Sequence, residues 1–203
     1  IRKLSKRKDP EAKVSYYDEV GIPIDAVKLY LATILNSNFE EWYLNNSDKN
    51  INDFRKVIDV NLIGKVICTK HCYDIMNDGG SIVNVASTNA LDTYYPESCD
   101  YDASKAGLIS LTHNLAIEFA PYVTVNAIAP GFFIGEQNRR ALLNEDGSLT
   151  ERSHKVLAKT PMRRFGDISE LNGIVKFLCS DEASFVTGTV IPIDGGFSSF
   201  SGV

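Results

Sequence analysis

From residue 51 onward the sequence predicts an α/β fold, a parallel sheet flanked by helices. Two observations carry this expectation. Three short runs, "SIVNVAS" (81–87), "VTVNAIAPG" (123–131) and "TVIPIDGG" (189–196), have the β-branched and apolar character of strands. The segments between them show helical periodicity, and helical crossovers of this kind join parallel strands right-handedly.

The elements follow in order. The basic opening "IRKLSKRK" is too short and too polar for a signal peptide and reads as a solvated segment. A first residue of Ile implies that something precedes this chain in the gene product, or that processing has removed it. A helix is expected around Asp25–Leu35. "INDFRKVIDVNLIGKVICTKHCYDIM" (51–76) reads as one long helix, with Phe54, Val57, Ile58, Val60, Leu62, Val66, Ile67 and Met76 as buried candidates, and "NDGG" stops it. A helix from about Tyr101 to Phe119 follows the first strand, with an apolar stripe of Ile109, Leu111, Leu115, Ala116 and Phe119, and Pro121 ends it. A polar stretch with helical pieces comes after the second strand. "DISELNGIVKFLCSDEAS" is a further helix, capped by Asp167 or Ser169, with Leu171, Ile174, Val175, Phe177 and Leu178 inside.

Composition narrows the function classes. With 203 residues, 44% hydrophobic and 23% charged, the chain has the make-up of one soluble globular domain. A net charge of −5 gives no support to nucleic-acid binding. No apolar run approaches the ~18 residues of a membrane span. Cys68, Cys72, Cys99 and Cys179 form no CxxC and no disulfide framework, which points to a reducing, cytoplasmic compartment. Cys68, His71 and Cys72 lack further ligands at zinc-like spacing, so no metal site is expected.

The chemistry centres on "CDYDASKAGLISLTHN" (99–114). Tyr101 and Lys105 are four apart, so on a helix they share one face about 5–6 Å apart at Cβ. Small neighbours (Ala103, Ser104, Ala106, Gly107) leave room for a backbone or a flat ligand. By itself the pair is compatible with an ordinary amphipathic helix. In a parallel sheet, however, sites gather at the carboxyl ends of strands. Ser87 ends the first strand, Pro130-Gly131 ends the second, and Tyr101 opens the helix between them.

Ser87, the Tyr101-Asp-Ala-Ser-Lys105 segment and "NAIAPG" together resemble the short-chain dehydrogenase/reductase superfamily. "VNLIG", with Asn61, and "FVTGTVIPIDGG" extend the resemblance, which covers roughly residues 51–203. It implies a Rossmann-like, doubly wound parallel sheet, here lacking the usual first βαβ unit. It also implies an oxidoreductase that uses NAD or NADP, with Tyr101 as acid/base, Lys105 lowering its pKa and holding the nicotinamide ribose, and Ser87 binding the substrate oxygen. Asn61 would hold a water linking Lys105 to solvent. A free phenol has a pKa near 10; a Lys ammonium ~5 Å away at an effective dielectric of about 20 stabilises phenolate by about 3 kcal/mol, or roughly two units. Ser87 and Tyr101 are 14 apart, about one more than the family pattern, which a loop insertion around "TYYPES" absorbs.

By the same resemblance Pro130 and Gly131 turn the backbone toward the nicotinamide, and the amides of Phe132 and Phe133 meet its carboxamide. "PGFFIGEQNRRALLNEDGSLTER", "TPMRRFG" and "DGGFSSFSGV" are similar to D-mannonate (fructuronate) oxidoreductase members. That implies a sugar acid or polyol substrate, for which Gln137, Asn138 and Arg139 supply donors. Arg163 and Arg164 are weaker carboxylate candidates that read equally well as surface charge. In relatives the helices corresponding to 51–76 and 101–119 form the oligomer interface, so a homo-oligomer is expected.

What does not match is the N-terminal quarter. A dinucleotide-binding βαβ unit needs a glycine-rich turn within ~30 residues. Gly21 is the sole glycine before Gly64, and "ILNSN" (34–38) lacks the Ala and Gly of the family's Asn-Asn-Ala-Gly turn. Residues 1–50 therefore read as a divergent or incomplete segment ahead of a catalytic and substrate-binding part at 51–203. Two explanations compete: the sequence omits parts of the cofactor half, or it is a degenerate homologue without cofactor binding that serves as an oligomerisation partner. A plain α/β binding module would make the whole motif set coincidence.

Overall fold

The computed structural model describes residues 51–91, 98–136 and 138–200. The expected helix at 25–35, the "ILNSN" segment and Gln137 lie outside these residues. Residues 55–91 and 100–200 belong to one compact unit, which holds the sheet; residues 51–54 and 98–99 group separately.

Ile51–Ile58 (α1) and Gly64–Tyr73 (α2) are α-helical, joined by a π-helical turn, Asp59–Ile63. The expected single long helix is thus interrupted by one wide turn, a distortion that a 3.6-residue period does not register and that recurs at functional sites. Gly80–Val85 (β1), Val123–Pro130 (β2) and Val190–Ile193 (β3) form a parallel sheet in the order β1-β2-β3. Gly80 lies opposite Val123 and Val85 opposite Ile128, while Ala127 pairs with Val190 and Pro130 with Ile193. The register therefore brings Val85, Pro130 and Ile193 to one edge.

Cys99–Phe119 (α3) lies between β1 and β2 in sequence. Its buried row is Ser104, Leu108, Thr112, Ala116 and Phe119, at steps of four and finally three, as one helix face requires. The Asn84 amide of β1 donates to Thr112 Oγ1 at 2.9 Å, so two buried polar groups satisfy each other. β2 is the central strand: Val123, Val125, Ala127, Ile128 and Ala129 are all buried, as expected of a parallel strand covered on both faces. Ala116, Phe119, Val123 and Val125 form a core cluster with Tyr73, Met76, Ile82 and Leu115 packed on it, and the Tyr73 and Phe119 rings stack at 4.0 Å.

After β2 come Arg139–Leu142 (α4), Glu151–Lys159 (α5) and Glu170–Leu178 (α6). Thr150 caps α5 by accepting the Ser153 N–H. At α6 neither expected cap acts alone. The Asp167 carboxylate accepts from Ser169 N–H, and Glu170 reaches back to accept from Asp167 N–H at 2.7 Å, a reciprocal arrangement.

Several apolar residues expected inside are exposed in this chain: Val60, Val66 and Ile67 of the first helical stretch and Phe177 of α6. The periodic pattern identifies an apolar face correctly, but nothing in a pattern states what covers it. Among the described residues no helix is long and apolar enough to cross a membrane, and no cluster of metal-ligating side chains occurs.

Candidate active site

The carboxyl edge of the sheet gathers the residues singled out by sequence. Ser87 follows β1 in an extended conformation and starts a 3-10 turn, Thr88–Ala90. Its hydroxyl oxygen accepts the Asn89 N–H at 3.2 Å, which leaves the hydroxyl proton free to point elsewhere. Ser87 is buried, and its side chain hydrogen-bonds Tyr101 in the first turn of α3. The Lys105 ammonium lies 5.4 Å from the centroid of the Tyr101 ring and donates to Val85 O at 2.7 Å. Ser87, Tyr101 and Lys105 thus meet at the end of β1.

Asn61 sits in the π-helical turn. Its amide donates to Ser104 Oγ at 3.1 Å, and Ser104 Oγ in turn donates to Tyr101 O at 2.6 Å. Close approach of the two helical stretches is possible because Gly107 faces Leu62; a Cβ at Gly107 would meet Leu62 Cδ2 at 2.8 Å. The side chain of Asn61 therefore docks on the turn that carries Tyr101.

The electrostatics also differ from expectation. The Tyr101 phenol titrates above its ordinary value. Burial is the main cause, Asp102 adds to it, and the Ser87 hydrogen bond opposes both. The predicted lowering by Lys105 is not what the fold produces: desolvation of the phenolate dominates, and the ammonium is held by the Val85 carbonyl. Lys105 itself is pushed down, first by burial and then by the positive charge of Lys65.

The second strand end is built around Gly131, whose N–H donates to Ile193 O at 3.0 Å. A Cβ there would lie 2.6 Å from Asp194 Cβ and 2.8 Å from Asp194 Cα, so only glycine fits. Phe132 O accepts from Gly166 N–H at 3.0 Å, the Phe133 ring lies against Gly166, and the Phe132 ring meets Phe197 edge-on at 5.1 Å. Phe132, Phe133, Thr160, Ile193, Asp194 and Gly195 line a cavity of about 80 Å³. The N–H groups of Phe132 and Phe133 find no acceptor among the described residues.

The expected substrate donors are distributed differently. Asn138 is committed to its own loop: its oxygen accepts Gly135 N–H at 2.8 Å and its amide donates to Phe133 O at 2.7 Å. These two bonds close the loop. Arg139 is exposed at the start of α4. Arg164 holds Glu170 through two hydrogen bonds of 2.7 and 2.6 Å, which neutralises it as a carboxylate receptor. Arg163 is exposed with φ +56°. Asn89 and Ser104, which sequence reasoning passed over, prove central. Their signal was their place, two residues after Ser87 and one before Lys105.

A family model described as enoyl-(acyl carrier protein) reductase matches residues 29–198. The chain belongs to the short-chain dehydrogenase/reductase family. It is 45% identical over 130 residues to the uncharacterised oxidoreductase UxuB of Bacillus subtilis, covering 62% of this chain and 46% of that protein. An uncharacterised oxidoreductase of Haemophilus influenzae is 36% identical over 177 residues, covering 83% of this chain and 62% of its relative. Among solved structures, a protein of Haemophilus influenzae provisionally named D-mannonate oxidoreductase, with NAD bound, superposes with a TM-score of 0.67 at 38% identity, over 74% of this chain and 55% of that one. The ligand-free aldohexose dehydrogenase of Thermoplasma acidophilum gives 0.68 at 33% identity, over 78% and 64%. The chain thus spans about half to two thirds of the length of these family members.

Proposed function

We propose that the chain carries the proton-transfer and substrate side of an NAD(H)- or NADP(H)-dependent oxidoreductase acting on the carbonyl or alcohol of a sugar acid or polyol, such as the fructuronate/mannonate pair. The observation that carries this reading is the meeting of Ser87, Tyr101 and Lys105 at the carboxyl edge of the sheet. The substrate class rests on the mannonate name of one structural relative, the aldohexose name of another, and the segments 130–152 and 160–166.

The residues present fit a nicotinamide. The free N–H groups of Phe132 and Phe133 suit a carboxamide. Tyr101 and Lys105 would hold the ribose, and Pro130 would direct the turn. When bound in reduced form, the cofactor supplies a hydride to the carbonyl carbon. The chain's own residues do the rest. Ser87 donates a hydrogen bond to the carbonyl oxygen, and Tyr101 gives it a proton as the alcohol forms. A phenol titrating above its ordinary value is protonated at neutral pH, which suits the reducing direction. Lys105 stands beside the ring, its ammonium donating to Val85 O.

A homo-oligomer built through the helices at 51–76 and 101–119 is part of this reading. Val60, Ile67 and Ile117 support it, being 67%, 52% and 82% exposed on those helices. A cytoplasmic location follows from the redox argument on the cysteines, all four of which are free. The catalytic and substrate part is residues 51–203, with 1–50 a separate segment.

Turnover of fructuronate with NADH or NADPH, followed by loss of nicotinamide absorbance, tests the function. Tyr101→Phe is expected to lower kcat by at least about 10²-fold, the usual contribution of a general acid. Wild-type turnover in Tyr101→Phe would refute the assignment. Absence of turnover with both cofactors would return the non-catalytic alternative.

A further inference from the structure

Ser87 and Tyr101 stand on different elements, and the 14-residue spacing between them leaves their approach to be fixed by something other than chain connectivity. The structure contains such a fixing. Asn89 Nδ2 donates to Asp102 Oδ1 at 2.9 Å, tying the turn after β1 to the first turn of α3. The backbone of the same Asn89 donates to Ser87 Oγ at 3.2 Å. One residue therefore touches both sides: its N–H occupies a lone pair of the Ser87 hydroxyl, and its side chain anchors to the neighbour of Tyr101.

From this we infer that Asn89 and Asp102 are a positioning pair, which clamps the Ser87 turn onto α3 so that the Ser87 hydroxyl donates to Tyr101. With the Asn89 N–H on its oxygen, Ser87 has one proton left to donate, to Tyr101 before substrate binds and to the substrate oxygen afterwards. The turn itself is short, Thr88–Ala90, and Thr88 is buried, so movement of Asn89 carries Ser87 with it. Neither residue touches the reacting atoms; the clamp acts through Ser87.

Asp102 has a second consequence, because its carboxylate lies near the phenol. Among the described residues, the charged groups around Tyr101 are Asp102 and Lys105 on α3, with Lys65 of α2 acting on Lys105. Replacing Asp102 by Asn removes the charge and keeps an oxygen for Asn89 to donate to. Replacing it by Ala removes both.

The inference deepens the proposed proton-transfer role, and its test needs no cofactor. The full chain is labelled with ¹³Cζ-tyrosine, and the Tyr101 resonance is identified by its loss in Tyr101→Phe. Its ionisation is then followed by NMR. Asn89→Ala is expected to weaken Tyr101 ionisation about threefold to tenfold, the effect of losing one hydrogen bond to the phenolate. That change should vanish in a Ser87→Ala background, since the clamp works through Ser87. Asp102→Asn should strengthen ionisation, and Asp102→Ala should strengthen it less, the difference being the clamp. This pair keeps the test decisive if Asn89→Ala fails to fold. An unchanged Tyr101 titration in Asn89→Ala, a change that persists without Ser87, or identical titrations of the two Asp102 variants would overturn the inference. Failure of the chain to turn over fructuronate would sink the proposed function and leave the clamp to stand on the titration.

Discussion

Replacing Gly131 by alanine tests whether the second strand end is as tightly built as the site requires. The added Cβ falls 2.6 Å from Asp194 Cβ and 2.8 Å from Asp194 Cα. Carbon atoms in favourable contact sit about 3.5–4.0 Å apart, so roughly 1 Å must open between the Gly131 backbone and the segment after β3. Both sides are fixed: Gly131 N–H donates to Ile193 O, and just past β3 the Asp194 carboxylate accepts from the Gly196 and Ser198 N–H groups. No flexible side chain can move aside. Overpacking of this kind costs about 1–3 kcal/mol. For a chain of 203 residues a loss of about 2 kcal/mol lowers Tm by about 4–8 °C. Urea unfolding supplies the free energy. Gly173→Ala is the control: it lies inside α6 with nothing within 4 Å, and alanine there should stabilise by about 0.5–1 kcal/mol. A Gly131→Ala variant as stable as wild type, measured beside a stabilised Gly173→Ala, refutes the tight packing.

Other outcomes follow from the same geometry. Glu170 is pulled from its ordinary 4.5 to about 2, chiefly by its hydrogen bonds from Arg164 and then by the Asp167 N–H. A carboxylate depressed in the fold contributes stability that is present above pH 4.5 and lost as the pH falls towards 2. Glu170→Gln should flatten stability across that acid window, read by thermal melts at stepped pH; an unaltered acid limb contradicts the pairing. Asn138→Ala removes the bonds to Gly135 N–H and Phe133 O, so the Gly135 amide should exchange faster while the β2 amides keep their protection. Equal exchange at Gly135 would mean that Asn138 does not close the loop.

The strands were legible because β-branched runs bounded by glycine and proline have few alternatives, and α3 because its period is regular. The π-helical turn at Asp59–Ile63 was not, since one extra residue in a helix leaves the apolar period almost intact. Ser87, Tyr101 and Lys105 could be brought to one edge from sequence because the topology of a parallel sheet does so wherever strands end. What the donors of Asn138 and Arg164 face could not be read from sequence for a different reason. A polar side chain in a loop carries the same chemistry whether it faces a ligand or its own backbone, and only the folded loop decides. The sign of the Tyr101 shift was likewise hidden, because it depends on burial of the phenol and on where the Lys105 ammonium finds its acceptor.

Titration of the chain with NADH and with NADPH, followed by nicotinamide fluorescence, tests the central claim most directly. The account predicts saturable binding of one of the two in the micromolar range, weakened by Lys105→Ala. No binding of either at millimolar concentration, with the intact mass of the chain verified, would contradict it and leave Tyr101 and Lys105 without a reaction to serve.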